Sequence, residues 1–269
     1  MSISKVLFIL ALITTSLVAE VKDKWKVNVG SMYVTNFETD LQWNKKGLPV
    51  GVKINTNDQL GLESEATVFR FDGYYRFTDS HKIEASYFGV KSDGRKQLNA
   101  EINLNGKKLV VGTIIDAYLN MNIYRVDYAY SFYHNDKVEL SIAAGLHITQ
   151  IDLGYSVVAT ANNNSTPISG SSFSVTAPLP IVGFRGSYDI IPKTLMVNYN
   201  TDYFYFEYED YRGAIISAAF SLEYRFYNHI GLGIGFNSND IKVKKDNGNT
   251  KVDIDNRLSG IMVYMSYTY

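Results

Sequence analysis

The chain has 269 residues, 46% hydrophobic and 20% charged, with no cysteine, five prolines, 21 tyrosines and 14 phenylalanines. A formal net charge of −1 gives no long-range field to attract nucleic acid or a strongly acidic partner. Zero cysteine excludes a disulfide scaffold, a thiolate zinc site, a cysteine nucleophile and a lipid-modified N-terminal cysteine.

Residues 1–19 read as a signal peptide: Lys5, an apolar stretch from Val6 to Val18, the small Ala19, then the charged run Lys22, Asp23, Lys24 and Lys26. Cleavage is expected between Ala19 and Glu20, leaving residues 20–269 as one domain. No other apolar run approaches the length of a membrane-crossing helix.

From there the pattern has period two, the mark of β-strands. Phe69, Phe71, Gly73, Tyr75 and Phe77 share one face; Arg70, Asp72, Tyr74 and Arg76 share the other. The polar stretch 78–81 precedes a second alternating run, so the pair reads as an antiparallel hairpin. The unit recurs at an offset of 55: Arg125, Asp127, Phe132, Lys137, Glu139 and Ser141 match Arg70, Asp72, Phe77, Lys82, Glu84 and Ser86. A looser copy starts at Glu223-Tyr224-Arg225-Phe226.

Ten strands are predicted, near 24–37, 66–78, 82–91, 114–133, 137–152, 176–190, 193–206, 213–227, 229–239 and 256–269; eight is the alternative. Short connections at 79–81, 134–136, 191–192 and 228 alternate with mostly long polar ones at 38–65, 92–113, 153–175, 207–212 and 240–255. Asn105-Gly106 and Asn247-Gly248 mark tight turns within two of the long ones. Short turns at one end and long loops at the other predict an all-β, antiparallel up-and-down transmembrane barrel, with lipid on the apolar faces and the charges in the lumen. That division accounts for the tyrosines, since a ring in hydrocarbon with its hydroxyl in water suits a membrane boundary. One strand breaks the pattern: apolar parity is odd from Ile115 to Ile123 and even from Tyr124 to Phe132, which predicts a bulge or a part standing above the bilayer.

At the C-terminus Ile261, Val263, Met265, Tyr267 and Tyr269 alternate with Met262, Tyr264, Ser266 and Thr268. This resembles the last strand of bacterial outer-membrane barrels. The resemblance implies that Tyr267 and Tyr269 form an assembly signal for the barrel-assembly machinery. Asp58-Gln59-Leu60-Gly61-Leu62-Glu63, Arg70-x-Asp72-x-x-Tyr75-Arg76-Phe77, Ala177-Pro178-Leu179-Pro180 with Gly183-x-Arg185, and Gly231-Leu232-Gly233-Ile234-Gly235 resemble motifs of uncharacterised proteobacterial outer-membrane barrels. The resemblance implies residence in the cell outer membrane, with lipid and lipopolysaccharide as partners. It carries no biochemical role.

Facing rules put Arg70, Asp72, Arg76, Glu84, Arg125, Asp127, Glu139, His147, Arg185, Glu223 and Arg225 in the lumen as a charge network, an ion-pair plug being the default for a barrel this small. Gly231, Gly233 and Gly235 thin the wall and are expected to leave a gap there. Some barrels are enzymes: omptin-like proteases are ten-stranded and place acidic residues and a histidine at the outer rim. Here His81, His134 and His229 fall in short periplasmic turns. Only His147 shares a face with Glu139 and Ser141, and Ser141 is about 20 Å away at ~3.3 Å per residue. No catalytic residue, metal or cofactor is therefore assigned, and a monomer without nucleic acid is expected. Three functions fit: a non-enzymatic narrow channel for small solutes or hydrophobic compounds; a surface-binding or structural barrel acting through its loops, including the Tyr-rich 203–211; or a hydrolase using His147 or loop acids.

Overall fold

A computed structural model describes residues 23–45, 53–104, 107–161, 164–227, 229–246, 248 and 250–269; the expected signal peptide lies outside them. The elements in order are β1 (Trp25–Lys45), β2 (Ile54–Asn55), the one-turn helix α1 (Thr56–Leu60), β3 (Ala66–Thr78), β4 (His81–Gln97), β5 (Ile102–Leu104), β6 (Lys107–Leu109), β7 (Ile114–His134), β8 (Val138–Ala161), β9 (Asn164–Ile191), β10 (Leu195–Tyr208), β11 (Tyr211–Tyr227), β12 (Ile230–Asp246) and β13 (Thr250–Thr268). Ten of these strands form a closed antiparallel ring in which β13 pairs with β1. Closure is completed by Trp25 N–H donating to Tyr269 O (2.8 Å) and Tyr269 N–H donating to Trp25 O (2.9 Å). The ring is the ten-stranded outer-membrane-type barrel, and closure leaves no edge to lipid except at one notch described below.

Alternation runs along the strands, reset on β1 by a bulge between Val34 and Asn36 that passes the inward set from Met32 and Val34 to Phe37, Thr39 and Leu41, but the chemistry of the two faces exchanges partway up. On β13 the outward residues Ile261, Val263, Met265, Tyr267 and Tyr269 are all exposed, while Ser259, Arg257, Asp255 and Asp253 continue the same face above them. On β12 the outward Leu232, Ile234 and Phe236 give way to Ser238, Asp240, Lys242 and Lys244. On β4 the outward Ile83, Ala85 and Tyr87 give way to Lys91, Asp93 and Arg95. The apolar part spans eight residues on β13, about 20 Å in height at ~3.3 Å per residue and ~40° tilt, comparable to a membrane band. Aromatic contacts ring its lower edge. Trp25 lies 5.2 Å from Tyr267, and His229 lies 5.9 Å from both Tyr267 and Tyr269. His81 stacks at 5.8 Å on Phe77 and on Tyr128. The histidines of these two turns therefore belong to the aromatic girdle. Tyr87 and Tyr124, 4.9 Å apart, lie near its upper edge.

Above the band the barrel has the polarity of a water-soluble one. This corrects two sequence-based expectations and decides a third. Of the two readings of the 114–133 strand, a bulge or a part above the bilayer, the second holds: its pairing with β8 runs without a shift from Ile114 to Ser131. Odd residues face inward as far as Ser131, and Ile115, Ala117, Leu119, Met121 and Ile123 are buried because the upper interior is apolar. Much of the sequence assigned to long polar loops is strand, since a polar outward face suits water there: β1 continues to Lys45, β4 to Gln97, β12 to Asp246. The Tyr-rich 203–206 lies in the predicted strand, which continues as β10 to Tyr208. Finally, Gly231, Gly233 and Gly235 leave no gap. A Cβ at Gly233 would stand 2.1 Å from Tyr264 Cζ, and one at Gly235 would stand 2.6 Å from Met262 Cε, so β13 side chains occupy the space.

The wall is uneven on one side. Above Val182↔Tyr203, β9 pairs with β8 alone and β10 with β11 alone. Pro178 and Pro180 lie on this free stretch, two residues apart, so both missing N–H groups are on the same side of the strand. The ladder to β8 passes through both positions, opposite Ile148 and Leu146. Proline is tolerated on such an edge, where no donor is needed. Leu179 closes the notch from within, its Cδ2 standing 3.0 Å from where Gly213 would carry a Cβ.

The exchange of faces predicts opposite responses to one substitution. Met265→Arg, at mid-band, should cost about 2–4 kcal/mol, whereas Ser259→Arg, six residues higher on the same face, should cost less than about 1 kcal/mol. Urea titrations of refolding into lipid vesicles measure both.

Candidate functional site: the barrel interior

The lower interior is ionic. Arg185, from β9, is 3% exposed and meets Glu84 Oε2 (2.9 Å), Asp127 Oδ2 (2.8 Å) and Asp202 Oδ1 (2.7 Å). Arg125 bridges Asp127 (3.0 Å) and Asp202 (2.9 Å). Lys82 lies 3.3 Å from Glu84 and 3.4 Å from Glu139, and Arg76 donates to both oxygens of Glu139 at 3.0 and 2.8 Å. Six strands thus contribute to one network. A second cluster joins the other side: Lys26 meets Glu223 at 2.5 Å, Arg225 meets Glu223 (3.5 Å) and Asp23 (2.9 Å), and Tyr264 donates to Glu223 at 3.2 Å. Arg70 pairs with Asp72 at 2.9 Å, and Asn28 donates to Asp72 at 2.7 Å. Arg–carboxylate forks such as Arg76 on Glu139 add geometric specificity to the charge pairing.

Asp202, Lys26, Lys82, Asp23 and Tyr264 were not among the sequence-predicted network residues. Parity on β10 would have found Asp202, which shares its face with Asn198 and Asn200. Tyr264 was counted only as an alternating C-terminal residue. Between the two clusters lies a cavity of about 780 Å³, lined by Arg70, Asp72, Tyr74, Arg125 and Glu139 and, at its lower mouth, by turn residues such as Lys137 and Lys193.

His147 marks the ceiling of the charged zone. It is 2% exposed, faces Arg125 across β7, and neither ring nitrogen has a hydrogen-bond partner among the described residues. Ser141 is committed elsewhere, to Ser131 Oγ (3.1 Å) and Glu139 (3.5 Å). The His–Ser–carboxylate set on this strand is not assembled.

Above His147 the interior is filled by hydrocarbon. Met32, Phe37, Leu60, Ile115, Met121, Ile123, Ile215, Ile241, Ile254 and Leu258, from five strands and α1, are each at most 2% exposed and belong to one packed cluster. Leu60 enters it from the segment between β1 and β3, folded inward. Asn55 caps α1 by accepting from Asn57 N–H and Asp58 N–H, both at 3.0 Å. Gly61 ends it at φ 72°, a left-handed turn that glycine adopts without strain. Asn57 then donates to Phe37 O and Leu62 O, both 3.0 Å, tying the segment to β1. Tyr267 and Tyr269 lie far below, facing outward beside Trp25.

The sequence matches no protein-family model and no curated protein. The structure is similar to that of the outer-membrane protease OmpT from Escherichia coli, 11% identical, aligned over 91% of this chain and 97% of that one with a TM-score of 0.58. It also matches the outer-membrane protein OprG from Pseudomonas aeruginosa (12% identity, 93% and 98% covered, TM-score 0.39) and the toluene transporter TodX from P. putida (9%, 92% and 90%, 0.35). These are bacterial outer-membrane β-barrels, and the fold is of that kind.

Arg185→Met would leave Glu84, Asp127 and Asp202 facing one another without their shared cation. A loss of about 3–5 kcal/mol is expected from stranding buried charge. Arg95→Met, which breaks an exposed pair on the outer wall, should leave the unfolding midpoint unchanged. Urea unfolding in vesicles, followed by tryptophan fluorescence, tests the contrast.

Proposed function

We propose that the protein is a non-enzymatic outer-membrane barrel that acts through its extracellular wall and does not conduct solutes. The observation that carries this reading is the apolar cluster filling the upper interior, thirteen of whose side chains are at most 2% exposed. The charged cavity below it opens at the lower mouth and ends against that cluster, a vestibule and not a pore. A small barrel with its interior filled by side chains fits a structural or surface-acting role better than transport. The channel reading requires the cluster to part.

OmpT, named a protease, has the same fold, so the non-enzymatic reading rests on the residues of this chain. Its four histidines are all described. Three lie at the lower end, His81 and His229 within the girdle and His134 as the last residue of β7, and His147 is enclosed with neither nitrogen bonded among the described residues. An outer-rim site built on histidine finds no such residue there.

Planar-bilayer recording of the refolded chain is the test, with insertion verified by heat-modifiable gel mobility. A silent bilayer at both polarities is expected. Stepwise conductance from the unaltered protein would overturn the reading in favour of a channel.

A further inference from the structure

The wall above the membrane band is not uniform, and its outward face divides into three sectors. On β12 and β13 the charges satisfy one another: Lys242 meets Asp255 at 3.3 Å and Lys244 meets Asp253 at 3.0 Å. On β10 and β11 the face stays apolar, with Tyr203, Tyr205 and Ile216 each more than half exposed. Across β4, β7, β8 and β9 it carries Asp93, Asp116, amides, hydroxyls and Tyr118 beside the cations Lys91 and Arg95, and here the wall forms a shallow, open groove of about 770 Å³.

Register sets the groove's floor. One row runs Asp93, Tyr118, Gly154, Ser172 and the next Arg95, Asp116, Ser156, Gly170. A Cβ at Gly154 would stand 2.3 Å from Tyr118 Cε1, so the tyrosine ring lies flat on the glycine, while the residue stays 37% exposed. Arg95 is spent on Asp116, donating from Nε at 2.5 Å and from Nη2 at 2.7 Å. That hydrogen bond holds the Asp116 carboxyl below its usual range and therefore ionised. Asp93 and Asp116 against Arg95 leave the groove with an excess negative charge and its guanidinium already bound. A phosphorylated headgroup is repelled by such a surface.

Tyr118 lies six residues above Tyr124 at the band's upper edge. This is about 20 Å along the strand at ~3.3 Å per residue, or about 15 Å above the hydrocarbon at ~40° tilt. A flat ring with carboxylates and hydroxyls beside it offers an apolar platform for the C–H face of a sugar ring, plus acceptors for its hydroxyls. We propose that this groove binds a neutral oligosaccharide presented from outside the cell, one sugar ring stacking on Tyr118 and its hydroxyls bonding Asp93, Ser156 and Ser172. The proposal deepens the surface-acting reading and rests on it.

The test uses the full refolded barrel in detergent and a panel of short neutral hexose and N-acetylhexosamine oligosaccharides, read by calorimetry. At least one should bind with a Kd on the order of 10 µM to 1 mM. Tyr118→Ala should weaken it about tenfold. Gly154→Val, which keeps the ring but lifts it from its seat, should do the same. Tyr203→Ala, in the apolar sector, should change nothing. Each variant is checked for the folded gel mobility. Binding by no member of the panel overturns the proposal, as do wild-type affinity in both groove variants and binding confined to phosphorylated lipopolysaccharide or to extended peptides adding to the free edge of β9. Conductance is recorded without sugar. A conducting barrel that binds sugar refutes only the preceding reading, and a silent barrel that binds none refutes only this one.

Discussion

Closure of the backbone ladder is the constraint from which the rest follows. Once β13 pairs with β1, the strands of the ring share one inside and one outside, and a side chain cannot change face without a bulge. The chain must then meet lipid and water on one continuous outer surface. It does so by changing residue chemistry along each strand while keeping the alternation. Apolar-out, charged-in becomes polar-out, apolar-in at one level around most of the ring, between Tyr124 and Asn122 on β7 and between Ile148 and Gln150 on β8. In register these four residues form adjoining rows, which is why the exchange is a ring and not a scatter of local exceptions.

This explains what could be read from the sequence and what could not. Alternation is local, so the ten strands, their order and the inward grouping of Arg125 with Asp127 are visible in single segments. The frame at Ile115–Ile123 leaves two readings open in sequence, a bulge or a part above the bilayer, because hydropathy alone does not say whether an apolar face meets lipid or a core. An inward apolar residue in a water-exposed barrel and an outward apolar residue in a membrane barrel look alike. What separates them is whether the other face is polar, and Asp116, Asn120 and Asn122 carried that signal. The same ambiguity turned the extensions 38–45 and 240–246 into loops. Partnerships inside the lumen were beyond any local pattern: Arg185 and Glu84 are 101 residues apart, Lys26 and Glu223 197 apart.

Glycine and proline had meanings that only the neighbouring strand discloses. Gly233 was read as missing material, yet it makes room for the Tyr264 ring that reaches Glu223. Gly154 does for Tyr118 on the outer face what Gly233 does for Tyr264 on the inner one. Pro178 and Pro180 stood out as a motif without a role. They sit where β9 loses β10 as a partner, so the residues unable to donate fall on the strand edge with nothing to donate to.

The two halves of the interior differ in how they specify the fold. Buried ion pairs contribute little net stability, because desolvation offsets most of the attraction. A network in which Arg185 touches three carboxylates from three other strands nevertheless penalises every register but one, since a slipped strand strands a charge. The hydrocarbon above it is the reverse: Ile241, Ile254 and Leu258 tolerate small displacements, but their burial removes apolar area from water and supplies the driving force outside the bilayer. Lipid stabilises the lower wall from without, so the lower interior is free to be polar and selective. No lipid reaches the upper wall, and its stability has to come from within. A barrel standing above its membrane thereby draws its stability there from the side chains packed inside its own lumen.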